Sequence, residues 1–215
     1  MRYVGNVLGA ALLVVFLAGP LVASAEPPSG TLKRLKSEHA SERYEAALTL
    51  GQLGEMKHAP LLAGRLKDRD EVVRDAAYAG LWKIWMRSGD PDIDIMMKRG
   101  VALMNSDQPD KAVAVFSEMI RLKPAYAEGW NKRATALYMA KRFHDSIADC
   151  LKVLALNPHH FGAASGMGMN YLGLDNFEGA LDAFKQTLKI IPYSKSTARY
   201  IEMLESALAG KRKKI

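Results

Sequence analysis

The chain has almost no cysteine, because Cys150 is the only one among its 215 residues. An intramolecular disulfide is therefore excluded. The positions 34 residues before and after it hold Phe116 and Phe184, which predicts that the Cys150 side chain is buried between helices. A buried thiol is poorly ionised, so we interpret Cys150 as an inert packing residue and not as a redox site.

The sequence also lacks a constellation of catalytic or metal-binding residues. His159 and His160 come closest to a ligand pair, but adjacent residues do not face the same way, and we expect both on the surface. The Gly166-Met167-Gly168 run lies in a predicted helix and follows no strand, so it is not a phosphate-binding loop. We predict no enzyme, no catalytic residue, no metal and no cofactor. A hydrolase is the enzymatic alternative, motivated only by scattered glutamates.

Positive charge is not arranged as a binding stripe. The formal net charge is +7, and residues 194–215 hold six Lys or Arg against two Glu. No Lys/Arg stripe follows one face of a predicted helix, so we expect no nucleic-acid partner. The basic tail at 211–214 could only assist another membrane anchor, because each basic residue near an anionic surface contributes about 1 kcal/mol.

The one long apolar run lies near the N-terminus. Arg2 precedes an apolar stretch at residues 7–17, Pro20 breaks the stretch, and the small residues at 23–25 stand just before Glu26. This is the layout of a secretory signal peptide of 25 residues that is cleaved between Ala25 and Glu26.

We therefore expect a periplasmic or secreted protein, with residues 26–30 as a flexible lead. The alternative is a retained helix that tethers the protein, since about 20 apolar residues can span a bilayer. Contact with a membrane is expected only through such a helix or through the basic tail.

A fixed interval of 34 residues separates Pro124, Pro158 and Pro192. A period of this size with small, aromatic and proline positions is typical of stacked helical hairpins. Each proline follows the second helix of a hairpin, because proline cannot stand inside the next helix. The same interval relates three further sets: Gly100, Ala134 and Gly168; Ala112, Ser146 and Ala180; and Phe116, Cys150 and Phe184.

These positions resemble the tetratricopeptide repeat, and Trp130 fits the aromatic residue that opens a unit in that family. Residues 194–215 then supply a capping helix and the basic tail, because a repeat array needs a terminal element with one polar face. The resemblance implies three units within 92–193, at 93–126, 127–160 and 161–193.

A different repeat precedes the first one. Its stripe of Arg43, Ala46, Leu50 and Leu53 returns 31 residues later as Arg74, Ala77, Leu81 and Ile84. With this stripe, residues 31–90 resemble a short HEAT repeat of the phycobilisome-lyase type, and nothing in them supports a bilin-lyase activity. We interpret Arg43 and Arg74 as structural cations that bond to a loop or a carboxylate.

The predicted fold is all-α: an α-solenoid of antiparallel helical hairpins, with a HEAT-like pair, three tetratricopeptide repeats and a capping helix. The resemblance implies that the first helix of each hairpin lines a concave groove for a protein or peptide partner. Some relatives hold a partner's C-terminal carboxylate there, but Met97, Val101, Gly162 and Gly166 occupy four of those positions, so we expect no such clamp. The groove residues carried over are Met97, Val101, Met104, Asn131, Thr135, Tyr138, Ser165, Met169 and Leu172.

We therefore predict an exported protein–protein interaction module, or scaffold, that binds a peptide or helix of an envelope partner in this groove. Methionine side chains adapt to irregular apolar shapes, which suits such a surface. Coverage of some groove residues by the HEAT-like or terminal helices is the structural alternative. A membrane-tethered assembly factor with an uncleaved N-terminal helix is the functional alternative, and the oligomeric state is left open.

Overall fold

The computed structural model describes residues 27–212, with side chains described up to residue 210. This part of the chain contains α-helices and two 3-10 turns and no strand, which confirms the all-α prediction. None of its helices is both long enough and apolar enough to cross a bilayer. The predicted signal peptide and its cleavage site at Ala25 and Glu26 lie outside the described residues.

The helices follow one another with short connections. The 3-10 turns, Met56–His58 and Arg65–Lys67, flank α3. The α-helices are α1 (Thr31–Arg34), α2 (Ala40–Leu53), α3 (Ala59–Gly64), α4 (Glu71–Trp85), α5 (Pro91–Asn105), α6 (Pro109–Leu122), α7 (Ala127–Met139), α8 (Phe143–Leu156), α9 (Phe161–Gly173), α10 (Phe177–Ile190) and α11 (Lys195–Arg212).

From α5 to α11 every helix packs against the next one, and α7 also contacts both α5 and α9. The first helices of the three hairpins, α5, α7 and α9, therefore form one continuous surface, which we call the inner face. The last helix packs on α10, with Leu204 and Leu208 buried. This burial fits the predicted capping role.

The repeated small and large positions meet inside each hairpin. Phe116 lies against Gly100 and Phe184 against Gly168, and both phenylalanine side chains are fully buried. A Cβ added to Gly168 would stand 2.6 Å from the ring of Phe184, so only glycine fits beneath it. The middle hairpin pairs Ala134 with the much smaller Cys150, which is buried as predicted.

The turn inside each hairpin uses one left-handed residue, again at an interval of 34. Asp107, Lys141 and Asp175 have φ values of 54°, 58° and 54°. The next residue in each turn donates its amide N–H to a carbonyl five residues earlier, at 2.8–2.9 Å. Aspartate is among the non-glycine residues that visit this conformation most readily, whereas a lysine there carries a strain of about 1–2 kcal/mol.

The HEAT-like segment, residues 31–90, is held by a close helix crossing and by the buried Arg43 and half-buried Arg74. A Cβ on Gly51 of α2 would lie 2.6 Å from the Cα of Gly80 on α4, so the two backbones touch there. Arg43 donates two hydrogen bonds to Asp68, at 2.7 and 2.8 Å. Arg74 donates to the Asp68 carbonyl at 2.9 Å. Both arginines therefore have the structural role that the sequence predicted.

Candidate functional site

The HEAT-like segment folds onto the inner face through the aromatic side of α4. The ring of Trp85 stacks on His160 with 4.3 Å between ring centroids, and Tyr78 stacks on Phe161 at 4.4 Å. Phe161, the first residue of α9, is part of the hydrophobic core of the HEAT-like segment. Trp82 also packs against α9. Its indole lies so close to the backbone at Gly162 that a Cβ added there would be 2.7 Å from the ring.

A second connection fixes the end of α4 near the turn between α6 and α7. The hydroxyl of Tyr126 donates to the Met86 carbonyl at 2.9 Å, and the ammonium of Lys123 donates to the Ser88 carbonyl at 2.5 Å. Together the two contacts place α4 over the start of α9, and the end of α4 beside the start of α7. The C-terminal parts of the first helices stay open.

A buried polar cluster lies beneath Trp85. The side chains of Glu128 and His160 are 0% exposed, and a hydrogen bond of 3.0 Å joins Glu128 Oε2 to His160 Nε2. Asn131 donates to the other carboxylate oxygen at 2.9 Å, and the ammonium of Lys132 lies 3.2 Å from it. The carboxylate is thus surrounded by donors, as a buried charge requires.

The tautomer of His160 follows from its second contact. Its Nδ1 accepts the amide N–H of Ala163 at 3.1 Å and caps α9. The ring proton is therefore on Nε2, which donates to Glu128. Burial acts to raise the pKa of Glu128, but the hydrogen bond from His160, the charge of Lys132 and the Asn131 amide outweigh it and lower the pKa below its ordinary value.

The expectation that His160 lies on the surface is wrong. Of these two histidines, His159 is exposed, whereas His160 is buried because it caps α9 and packs under Trp85. The available signal was the aromatic stripe of Tyr78, Trp82 and Trp85, at intervals of four and three residues on α4. Such a stripe needs a partner surface, and the start of α9 is that surface.

The structure spreads the nine predicted groove residues over different environments. Met97 is 3% exposed and lies in the core of the first repeat, where Met86 from the end of α4 packs against the same cluster. It is therefore not available to a partner, and its assignment to the groove surface was wrong. Asn131 is buried and Thr135 exposed. The half-buried members are Val101, Met104, Tyr138, Ser165, Met169 and Leu172.

Four of the nine residues meet at a cavity of about 130 Å³ in the inner face, between α7 and α9, which we call the groove cavity. Cys150 of α8 forms part of its wall, and Asn170 lines it from α9. The predicted residues that line it are Asn131, Thr135, Tyr138 and Met169.

Ser165 lies in a separate cleft of about 430 Å³ between α4, the start of α9 and the start of α11. The guanidinium of Arg74 lies over the ring of Tyr193 there, 4.1 Å from its centroid. Glu71 and Asp75 add acidic groups to the same wall. Ser165 is thus separated from the other groove residues by the contact between α4 and α9.

Within the described residues, no group of three His, Cys, Asp or Glu side chains is placed to hold a metal ion. Burial raises the pKa of the Cys150 thiol to about 12, so it is protonated at neutral pH. The positions of the carboxylate clamp carry no cation, and Gly162 lies under Trp82. The groove cavity therefore offers shape, apolar surface and neutral hydrogen-bonding groups.

Comparison with known proteins agrees with this architecture. The family model described as HEAT repeats matches residues 28–117, which extends past the HEAT-like segment into the first hairpin of the inner face. A TPR repeat-containing protein of Rhizobium etli is 34% identical over 128 residues, covering 60% of this chain and 63% of that protein. The Hsp70-Hsp90 organizing protein of Triticum aestivum is 30% identical over 94 residues, covering 44% of this chain and 16% of that protein. The chain thus spans less than two thirds of either relative.

Among solved structures, the first TPR of Spaghetti (RPAP3), bound to the HSP90 peptide SRMEEVD, matches with a TM-score of 0.52 and 21% identity. The match covers 54% of this chain and 93% of that one, and at this identity it concerns the fold alone. The helices, the repeated positions and these matches define a helical-repeat protein. The chain is similar to tetratricopeptide-repeat proteins, and its N-terminal part is similar to HEAT repeats.

Proposed function

We propose that this chain is an exported protein-interaction module that binds an extended peptide or a helix of an envelope partner on the open part of the inner face. The observation that carries the proposal is the position of α4. It covers the start of α9, while Thr135, Tyr138 and Met169 meet at a cavity in the uncovered part. A partially covered groove with one cavity suits a short segment of a partner.

The chemistry of this surface favours a neutral or apolar segment. The HSP90 peptide in the RPAP3 complex, SRMEEVD, ends in acidic residues. In this chain the clamp positions carry Met97, Val101, Gly162 and Gly166 instead of cations, and Met97 is buried. An acidic C-terminus would find no charge partner at these positions, so we infer that binding rests on apolar contacts around Tyr138.

The same proposal includes export, supported by the layout of the first 25 residues. Mass measurement of the protein recovered from cells is expected to give a chain that starts at Glu26. A chain that still starts at Met1 would favour the membrane-tethered alternative.

The groove is tested by replacing two of its residues together, Tyr138→Ala and Met169→Glu. The first removes an aromatic contact and the second places a charge in an apolar surface. We expect the affinity for a partner identified by cross-linking in the native envelope to fall by at least about 30-fold, because buried aromatic anchors of interfaces contribute about 2 kcal/mol or more.

The matched control makes the same kinds of change on the second helices, Leu122→Ala with Leu151→Glu. Both leucines are more than half exposed, on α6 and α8. This control should bind normally, and both double variants should keep the helical circular dichroism of the parent protein. Loss of binding in the control alone would place the partner on the opposite face.

A further inference from the structure

The groove cavity exists because the middle hairpin departs from the pattern of its neighbours. In the first and third hairpins a phenylalanine ring fills the space against a glycine, as Phe184 does against Gly168. In the middle hairpin Cys150 occupies that position against Ala134, and a thiol is far smaller than a phenyl ring. Ala134 and Cys150 both line the cavity, so the volume left by the missing ring lies within reach of the inner face.

One polar group lining the cavity has no partner. Asn170 is 1% exposed, and its side-chain N–H donates to the Gly166 carbonyl at 2.8 Å. That bond fixes the orientation of the amide and leaves Oδ1 as a hydrogen-bond acceptor, buried and unpaired among the described residues. Buried polar groups normally have a partner, so an unpaired acceptor beside a cavity indicates a position for a donor.

The other polar groups of the cavity restrict the kind of donor. The hydroxyl of Thr135 donates to the Asn131 carbonyl at 3.0 Å, which leaves its oxygen as a second acceptor. The phenol of Tyr138 can donate. None of the residues that line the cavity is charged. An ammonium group would therefore lack a counter-charge, and a carboxylate would face acceptors.

Asn170 and Thr135 offer two acceptors, Asn131 and Ser146 add further side-chain oxygens to the lining, and Tyr138 offers a donor. A primary carboxamide has two N–H donors on one nitrogen and one carbonyl oxygen, so it can pair with both kinds of group. We propose that the groove cavity is a side-chain pocket for an asparagine or glutamine of the bound partner. Asn170 and Thr135 accept from the amide nitrogen, and Met169 and Cys150 pack against the side-chain carbons. The pocket supplies the residue preference of the proposed peptide groove and rests on that function for its biological ligand.

The pocket can be tested without the partner, using small probes of equal shape. Isobutyramide carries the carboxamide, and 3-methyl-2-butanone replaces its amide nitrogen by a methyl group. Each is titrated into the exported protein labelled with 13C at the methionine methyl groups. Met169 lines the cavity and reports binding, whereas Met97 lies in the first-repeat core and serves as the internal reference.

We expect isobutyramide to shift the Met169 signal saturably, and to bind about three- to tenfold more tightly than the ketone, as one or two hydrogen bonds allow. The Met97 signal should not move. Asn170→Leu should remove the preference for the amide. The double variant Ala134→Gly with Cys150→Phe, which restores the pairing of the other two hairpins and fills the cavity, should abolish the shift by both probes.

Equal binding of the two probes would overturn the proposal, and so would a filled variant that still responds. Absence of any shift at Met169 with the parent protein would overturn it as well. Because no partner is present, each of these results leaves the proposed groove function standing. Conversely, the protein could bind isobutyramide selectively while its partner binds the Tyr138→Ala, Met169→Glu variant with unchanged affinity. That result would support the amide preference of the pocket and overturn its assignment to this partner.

Discussion

Replacing Trp85 by alanine is expected to lower the free energy of unfolding by about 3–5 kcal/mol, the range for removing a buried tryptophan. The Trp85 side chain is almost fully buried and stacks on His160 at the boundary between the HEAT-like segment and the inner face. Its loss removes packing from both parts at once. Urea denaturation followed by circular dichroism should show one transition for the parent protein and an earlier, separate loss of the HEAT-like segment in the variant.

The control for this prediction is Tyr78→Ala on the same side of α4. Tyr78 also stacks on an aromatic ring of α9, but it is 43% exposed. We expect a loss of about 1 kcal/mol, because less apolar surface returns to water. If the two replacements are equally costly, or if Trp85→Ala leaves the transition unchanged, α4 is not held on the inner face in the way described here.

His160→Ala is expected to destabilise the protein by a similar amount, about 3–5 kcal/mol, because it leaves Oε2 of the buried Glu128 carboxylate without its donor. The cap of α9 and the stack on Trp85 are lost with it. The free energy of unfolding from denaturant titration measures the effect. A loss below about 1 kcal/mol would mean that the cluster is open to water.

The same cluster predicts how stability depends on acid. The folded protein lowers the pKa of Glu128 relative to its ordinary value of 4.5. The unfolded chain therefore binds the proton more readily, so this stabilisation is present above pH 4.5 and is lost as the pH falls through the folded pKa. Glu128→Gln should flatten the acid side of the stability profile. Part of the slope should remain, because the pKa of Asp68 is lowered as well.

The repeat architecture could be predicted from the sequence because every repeated position has a local reason. Glycine lies under Phe116 and Phe184, and each second helix ends shortly before a proline. The turns inside the three hairpins contain the left-handed residues Asp107, Lys141 and Asp175. Their backbone conformation could not be read from Lys141, since lysine has no preference for positive φ.

The covered half of the inner face could not be predicted in this way. Glu128 and His160 are 32 residues apart, and no local pattern links a carboxylate to a histidine at that distance. Their partner Trp85 comes from a different kind of repeat. The sequence predicted a buried Cys150 in the position of the two phenylalanines, but only the structure shows the groove cavity and the unpaired oxygen of Asn170 beside it.

Site-specific photo-cross-linking in living cells tests the central claim most directly. A photoreactive phenylalanine derivative is placed either at Thr135, exposed on the open part of the inner face, or at Leu151, exposed on α8. We expect one discrete cross-linked partner from position 135 and none from position 151. A partner captured from position 151 and not from 135 would contradict it.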